Sequence, residues 1–211
     1  PSREEKTGEW LAHCQACSAP EIASVFNRAG IGYHLVTGTL DDPEAWSEMH
    51  NWVNAAYVAK VFRQGRIGLM GHYYGGMLDV YSDYTQLSSV FGNHFELVEM
   101  DELKSLRDAV TEKDIDKMLV EFRQTFDVNP ECSEVELRRA ARTSVALHQM
   151  VERHGLEGLA YYYEGQPGNE HEDIVTSVIA GNTLLTAKHV PVAGEYEVKN
   201  VMAMKIMDSL G

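Results

Sequence analysis

The sequence lacks any long run of apolar residues. No stretch approaches the roughly 18 consecutive apolar residues that a membrane-spanning helix requires. Residues 1–10 are charged and contain no apolar stretch of the kind found in secretory signal peptides. We therefore expect no association with a membrane and no secretory leader in these residues.

Basic residues and cysteines are also scarce. The chain has 18 Lys and Arg against 32 Asp and Glu, a net charge of −14, and its basic residues form no cluster. This acidic balance argues against nucleic acid as a partner, because phosphate backbones would be repelled. The three cysteines are too few, and odd in number, for a secreted disulfide scaffold. They favour a reducing compartment, so a cytoplasmic location is expected.

Two of the cysteines form a C-x-x-C motif, Cys14-Gln-Ala-Cys17, at the start of a predicted helix. Thioredoxin-like proteins place such a motif where the helix N-terminus lowers the thiol pKa. No second C-x-x-C is present to complete a zinc site. A thiol redox protein is one hypothesis, and cysteines that act as small buried hydrophobic residues are the simpler one.

What the sequence does contain is an alternation of short apolar runs with longer helical periods. This pattern predicts an α/β fold with mostly parallel sheets flanked by helices, doubly wound and Rossmann-like. Predicted strands cover 10–16, 33–37, 66–70, 95–99 and 159–163, and a turn covers 191–195. Predicted helices cover 18–28, 42–63, 84–91, 101–109, 112–126, 131–153, 173–187 and 197–209.

Ligands of such sheets bind beyond the carboxyl ends of the strands. One segment in that position, residues 71–83, is rich in glycine and tyrosine. It contains neither the G-x-x-x-x-G-K-[ST] loop that cradles phosphate nor a clean G-x-G-x-x-G fingerprint. A polar sugar therefore fits this segment better than a nucleotide, and a plain structural turn is also compatible with it.

Two glutamates stand at informative positions. Glu164 directly follows the apolar strand LAYYY, and Glu195 follows Gly194 near the start of the last predicted helix. Taken singly, each is also explained as a solvated loop or helix-start glutamate. Together, two carboxylates from different segments could bind a divalent cation and shuttle a proton.

Residues 159–208 carry a more specific pattern, LAYYYEG followed by a helix and then Ala193-Gly194-Glu195 before a final helix. This stretch resembles the L-arabinose isomerase family, in which a strand ends in a glutamate and an A-G-E turn leads into a helix. Upstream, the segments HLVTGTLDD, RIGLMG and residues 75–79 match more loosely.

The resemblance implies an enzyme that converts an aldose to its ketose with a bound divalent cation, usually Mn²⁺. In the family two glutamates and two histidines hold the metal, and the glutamates also move protons in an enediol-type reaction. Glu164 and Glu195 would be those glutamates, whereas Met77 and Gln15 would lie near the sugar. The implied substrate is a pentose or deoxyhexose, since the L-fucose isomerases are related, and the implied assembly is a homo-oligomer.

The family's metal-binding histidines lie downstream of the helix that matches residues 199–207. The resemblance therefore implies the central part of a longer enzyme. We expect residues 1–68 to end one α/β domain, 69–188 to form a second, and 189–211 to start a C-terminal domain. Such a chain would be inactive alone. The alternative is a non-catalytic sugar-binding α/β module that uses the same cleft without a metal.

Overall fold

The computed structural model describes residues 6–8 and 15–211, with side chains described from Cys17 onward within the second range. The chain divides into two compact units, residues 1–57 and 58–211. The domain boundaries that the resemblance implies, after residues 68 and 188, remain predictions. None of the helices in the described ranges is long and apolar enough to cross a membrane.

Two helices and an extended connection make up the described part of the first unit. Helix α1 spans Gln15–Ala29, and helix α2 spans Pro43–Gln64, its last turns belonging to the second unit. Asp42 precedes α2, and its carboxylate accepts a hydrogen bond from the backbone amide of Glu44 at 3.0 Å. This bond satisfies a donor that the first turn of the helix leaves unpaired. The ring of His34 stacks on Trp52 at 4.3 Å.

The two strands predicted in this unit are not supported. Residues 33–37 form an extended connection, and no strand among residues 15–211 pairs with it, so this prediction is wrong. An alternating pattern shows only that a segment suits a sheet, and a strand also needs a neighbouring strand to bond. Of the segment 10–16, Gln15 and Ala16 are helical, and residues 10–14 lie outside the described ranges.

The second unit contains a four-stranded sheet in the order β2-β1-β3-β4, with every pair parallel. The strands are β1 (Arg66–Gly71), β2 (His94–Val98), β3 (Gly158–Tyr162) and β4 (Val192–Ala193). Leu69 lies opposite Leu97 on one side and Ala160 on the other. Parallel strands are covered on both faces, which explains why the central strands read as continuous apolar runs.

Helices lie on both faces of this sheet, so the predicted doubly wound α/β fold is confirmed. The helices of this unit are α3 (Tyr84–Phe91), α4 (Met100–Ala109), α5 (Glu112–Thr125), α6 (Glu134–His154), α7 (Glu172–Val175), α8 (Ile179–Ala187) and α9 (Val198–Leu210), with a short 3-10 helix at Leu78–Val80. Met70, Val98 and Leu159 pack on one face against α4, α5, α6 and α8. Ile67 and Ala160 pack on the other face, against α9 and the end of α2.

Helix boundaries follow local signals that the sequence contains. Ser133 caps α6, because its hydroxyl accepts the amide of Glu136 at 3.2 Å, and Gly155 ends the helix at a φ of 60°. The helix predicted at 173–187 is instead two helices, α7 and α8, separated by residues 176–178. The turn predicted at 191–195 contains β4, whose two residues are too short to show a periodic pattern.

A charged contact joins α4 to the end of α6 and makes the stability depend on pH. The carboxylate of Glu102 lies 3.1 Å from Arg153 Nη1 and 2.9 Å from His154 Nε2, and His154 Nδ1 lies 3.6 Å from Glu96. Burial would raise the pKa of Glu102, but the hydrogen bonds from His154 and Arg153 outweigh it and lower the pKa below 4.5.

A carboxyl group whose pKa is lowered by folding adds stability above its unfolded pKa, and that stability disappears as the pH falls through the folded pKa. The variant Glu102→Gln is expected to lose about 1 kcal/mol or less at pH 7. Its free energy of unfolding should also fall less steeply than that of the wild type below pH 4.5. Urea unfolding at a series of pH values measures both effects. Glu99→Gln is the control, since the exposed Glu99 makes no side-chain capping bond. Parallel pH profiles for the wild type and Glu102→Gln would contradict this account.

Candidate active-site edge of the sheet

Three adjacent strands, β1, β3 and β4, end at the same edge of the sheet. Gly71 at the end of β1 lies opposite Tyr162 at the end of β3, and Ala160 lies opposite Ala193 at the end of β4. Because the strands are parallel, residues 72–77, 163–165 and 194–196 leave the sheet on the same side. This side, which we call the carboxyl edge, is where the sequence predicted a ligand site.

The exit from β1 requires glycine. Gly71 has a φ of 91°, and a Cβ atom there would lie 1.8 Å from the carbonyl oxygen of Tyr162. The next amide, that of His72, donates to the same carbonyl at 3.0 Å. The ring of Tyr162 then has His72 at 5.5 Å, edge-on, and Tyr74 at 5.1 Å. The close approach of the two backbones therefore gathers aromatic rings at the carboxyl edge.

The exit from β4 is a tight turn that presents Glu195. Glu195 and Tyr196 both have left-handed backbone conformations, with φ of 57° and 64°. Such conformations are costly for residues other than glycine, and they concentrate at functional sites. The amide of Tyr196 donates to the Tyr161 carbonyl of β3 at 3.0 Å, and that of Glu197 donates to Gly194 at 3.0 Å. The carboxylate of Glu195 is exposed, whereas the ring of Tyr196 is buried.

The charges of the two candidate glutamates both raise the pKa of the same side chain, that of Tyr162. Both Glu164 and Glu195 are exposed to solvent. Burial raises the pKa of Tyr162, and the charges of Glu164 and Glu195, together with Tyr74, raise it further. A phenolate at Tyr162 would be repelled by both carboxylates, so both lie within electrostatic reach of the same ring.

The chemistry of these donors suits a hard divalent cation. Carboxylate oxygens are the ligands that Mn²⁺ and Mg²⁺ prefer in proteins. However, within residues 6–8 and 15–211 no three His, Cys, Asp or Glu side chains are grouped closely enough to hold a metal ion. Glu164 and Glu195 would therefore supply only part of a ligand set.

The two predicted sugar-contact residues differ in position. Met77 is half-buried and ends the loop after β1, just before the short helix Leu78–Val80, so its segment leaves the sheet at the carboxyl edge. Gln15 begins helix α1 in the other compact unit. Its side chain lies outside the described part of the chain. The sugar contact of each residue stays a prediction.

His171, to which the sequence assigned no role, holds the loop after β3 through two side-chain contacts. His171 Nδ1 lies 2.9 Å from the hydroxyl of Tyr163, and His171 Nε2 lies 3.0 Å from the exposed carboxylate of Asp101. These contacts connect residues 163–171, the loop that contains Glu164, to the start of α4. No motif indicates the contact with Asp101, because Asp101 and His171 are far apart in sequence.

The two described cysteines are exposed, whereas small hydrophobic residues of the core would be buried. Cys17 lies on the first turns of α1, where it is free and exposed, and Cys132 is also free and exposed. Burial is therefore the wrong prediction for Cys17. Cys14 lies outside the described ranges, so the redox hypothesis for the C-x-x-C motif stays a hypothesis.

The second unit is thus a parallel α/β protein with two carboxylates at the carboxyl edge of its sheet. A model of the L-arabinose isomerase central domain matches residues 81–169. An L-arabinose isomerase from Nocardioides sp. (strain ATCC BAA-499 / JS614) is 25% identical over 153 residues, which cover 70% of this chain and 30% of that protein. These matches confirm the resemblance: residues 81–169 are similar to the central domain of the L-arabinose isomerase family.

The extent of these matches bears on the site. The segment matched to the central domain contains Glu164, whereas Met77, Glu195 and Gln15 lie outside residues 81–169. The chain spans about 30% of the length of the Nocardioides relative. The match therefore does not extend to the activity of a complete isomerase.

Proposed function

We propose that this chain contributes part of the active site of an aldose–ketose isomerase of the L-arabinose isomerase type. The observation that carries the proposal is the position of Glu164 and Glu195, which leave neighbouring parallel strands at the carboxyl edge and both act on Tyr162. The substrate class is a pentose or deoxyhexose, and the cofactor is Mn²⁺ or another divalent cation. The active form is a cytoplasmic homo-oligomer.

The reaction of such an enzyme moves a proton between two adjacent sugar carbons while the carbonyl changes place. A carboxylate next to the sugar takes the proton from the hydroxyl-bearing carbon beside the carbonyl and returns it to the former carbonyl carbon, while the proton of that hydroxyl moves to the former carbonyl oxygen. Glu164 and Glu195 are the candidates for this transfer and for holding the cation. When bound, a divalent cation polarises the sugar carbonyl and so makes the adjacent proton easier to remove.

The aromatic rings at the carboxyl edge have a separate role in this proposal. Tyr74 and Tyr162 lie 5.1 Å apart, and His72 packs against Tyr162. Such rings offer apolar faces to the C–H groups of a sugar and exclude water from one side of it. In the same loop a Cβ atom at Gly75 would meet nothing within 4 Å, which leaves space for a ligand to approach the backbone, whereas the ring of Tyr74 fills that space at Gly76.

Because the carboxylates form an incomplete ligand set, we propose that another segment or another copy supplies the remaining ligands. The isolated 211-residue chain should therefore bind Mn²⁺ weakly and show no isomerase turnover. Measured conversion of an aldose by the pure chain would contradict this part of the proposal.

Titration of the chain with Mn²⁺, followed by the electron paramagnetic resonance of the free ion, tests the carboxylate pair. Glu164→Gln and Glu195→Gln are each expected to weaken binding by at least about tenfold, because each removes a charged oxygen ligand, a loss of roughly 1.4 kcal/mol or more. Glu131→Gln is the matched control, an exposed glutamate in the connection between α5 and α6. Equal affinities for all four proteins would rule out a shared site.

The sugar-binding module is the second candidate, favoured by the tyrosine rings and by the lack of a complete metal cluster within residues 6–8 and 15–211. It predicts that L-arabinose or a related sugar binds equally well with Mn²⁺ and with a chelator. The isomerase proposal predicts instead that a chelator weakens sugar binding. Equilibrium dialysis with labelled sugar distinguishes the two.

A further inference from the structure

The turn after β4 holds two residues in a conformation that neither favours. Glu195 and Tyr196 are both left-handed, at φ of 57° and 64°, and neither is glycine. A lone residue of this kind is found in many turns, but two in succession persist only where surrounding contacts over-determine the backbone. The bonds from Tyr196 to Tyr161 and from Glu197 to Gly194 are part of that support.

The rest of the support comes from a cluster of three buried or half-buried tyrosines, which we call the tyrosine cluster: Tyr73, Tyr84 and Tyr196. The ring of Tyr196 is only 6% exposed and stands edge-on to Tyr73 at 5.0 Å. The Tyr84 hydroxyl donates to the Tyr73 hydroxyl at 2.5 Å, and the hydroxyls of Tyr84 and Tyr196 also interact with each other. Tyr73 in turn donates to the Ser82 carbonyl at 3.2 Å.

The members of the tyrosine cluster come from three different segments. Tyr73 lies in the loop after β1, beside His72, and Tyr84 is the first residue of α3. Tyr196 directly follows Glu195. The hydroxyl network therefore joins the glycine-rich loop and the Glu195 turn through one buried contact, although these segments are more than 100 residues apart in sequence.

We propose that Tyr196, held by Tyr84 and Tyr73, is a positioning residue that fixes the backbone of Glu195 so that its carboxylate faces the carboxyl edge. Tyr196 acts through its neighbour and need not touch the sugar or the cation. The importance of Glu195 in this statement rests on the proposed function. The anchoring of the turn by the tyrosine cluster does not, because it follows from the contacts alone.

Removal of single hydroxyl groups tests the anchor while keeping the rings. In Tyr196→Phe and Tyr84→Phe, amide hydrogen exchange at Tyr196 and Glu197 is expected to accelerate about five- to tenfold, because the turn loses one polar contact of its support, comparable in free energy to a net hydrogen bond. Tyr81→Phe is the matched control. Tyr81 also packs edge-on to Tyr73, at 4.9 Å, but is 51% exposed and takes no part in the hydroxyl network of the described residues.

The second readout is the affinity for Mn²⁺ in the same full chain, at a temperature where thermal unfolding curves show every variant to be folded. A positioning role predicts that Tyr196→Phe and Tyr84→Phe weaken Mn²⁺ binding by about five- to tenfold, whereas Tyr81→Phe leaves it unchanged. A merely structural role would lower the unfolding midpoint and leave the affinity of the folded protein intact.

The outcomes separate the two proposals. Unchanged amide exchange in Tyr196→Phe and Tyr84→Phe overturns the anchor, whether or not Mn²⁺ binds. Faster exchange with unchanged Mn²⁺ affinity overturns the positioning of Glu195. Faster exchange with weaker binding supports the inference. If Glu195→Gln binds Mn²⁺ as tightly as the wild type, the proposed function fails. Amide exchange then still decides whether the tyrosine cluster anchors the turn.

Discussion

Replacement of Gly71 by alanine is expected to lower the free energy of unfolding by roughly 4 kcal/mol or more, among the largest effects of any single substitution. A Cβ atom at this position would lie 1.8 Å from the Tyr162 carbonyl oxygen, an atom of the backbone that cannot rotate away. The φ of 91° adds strain for any residue with a side chain. To relieve the clash, the two central strands β1 and β3 would have to separate at the carboxyl edge.

The matched control is Gly75→Ala in the loop that follows β1. A Cβ atom at Gly75 meets nothing within 4 Å, and its φ lies outside the left-handed region. This variant should change stability by no more than about 0.5 kcal/mol. Urea unfolding followed by circular dichroism measures both. Equal stability of Gly71→Ala and Gly75→Ala would show that the strands at the carboxyl edge are not as close as described.

The second large effect is expected for Leu147→Ala in the core. Leu147 is fully buried in the middle of α6 and contacts α8, where a Cβ atom at Gly181 would come within 2.9 Å of its Cδ1. Helices this close cannot readily collapse into a new cavity, so the loss combines the transfer free energy of the removed carbons with the free energy of the cavity. We expect a cost of about 3–4 kcal/mol.

Val135→Ala provides the comparison on the same helix. Val135 is 73% exposed, so its truncation should cost less than about 0.5 kcal/mol. Urea unfolding curves, fitted with one common dependence of the free energy on urea concentration, give the change in stability of both variants. A small cost for Leu147→Ala, near that of Val135→Ala, would contradict the packing of α6 against α8.

Much of the second unit could be predicted from local patterns. Strands at 66–70, 95–99 and 159–163 are confirmed to within one residue, because each is a short, mostly apolar segment beside a charged residue or glycine. The strand at 33–37 is wrong because pairing with a distant strand cannot be read from a segment's own alternation. Strand β4 was missed because its two residues are defined only by their bonds to β3.

The candidate site shows the same division. Glu164 could be placed from its position after a strand, and Glu195 from the A-G-E turn. The tyrosine cluster could not, since it brings together Tyr73, Tyr84 and Tyr196 by tertiary contacts that no spacing encodes. Nor does the sequence signal the left-handed backbone of Glu195 and Tyr196, because glycine, the usual marker of that conformation, precedes them at Gly194.

The central claim is that Glu164 and Glu195 share one divalent cation, and a crystal structure of the chain with Mn²⁺ tests it most directly through the anomalous scattering of the ion. The account predicts one Mn²⁺ at the carboxyl edge with an oxygen of each glutamate at about 2.0–2.6 Å. Carboxylates that point apart, with no ion between them at saturating Mn²⁺, would contradict it and favour the sugar-binding module.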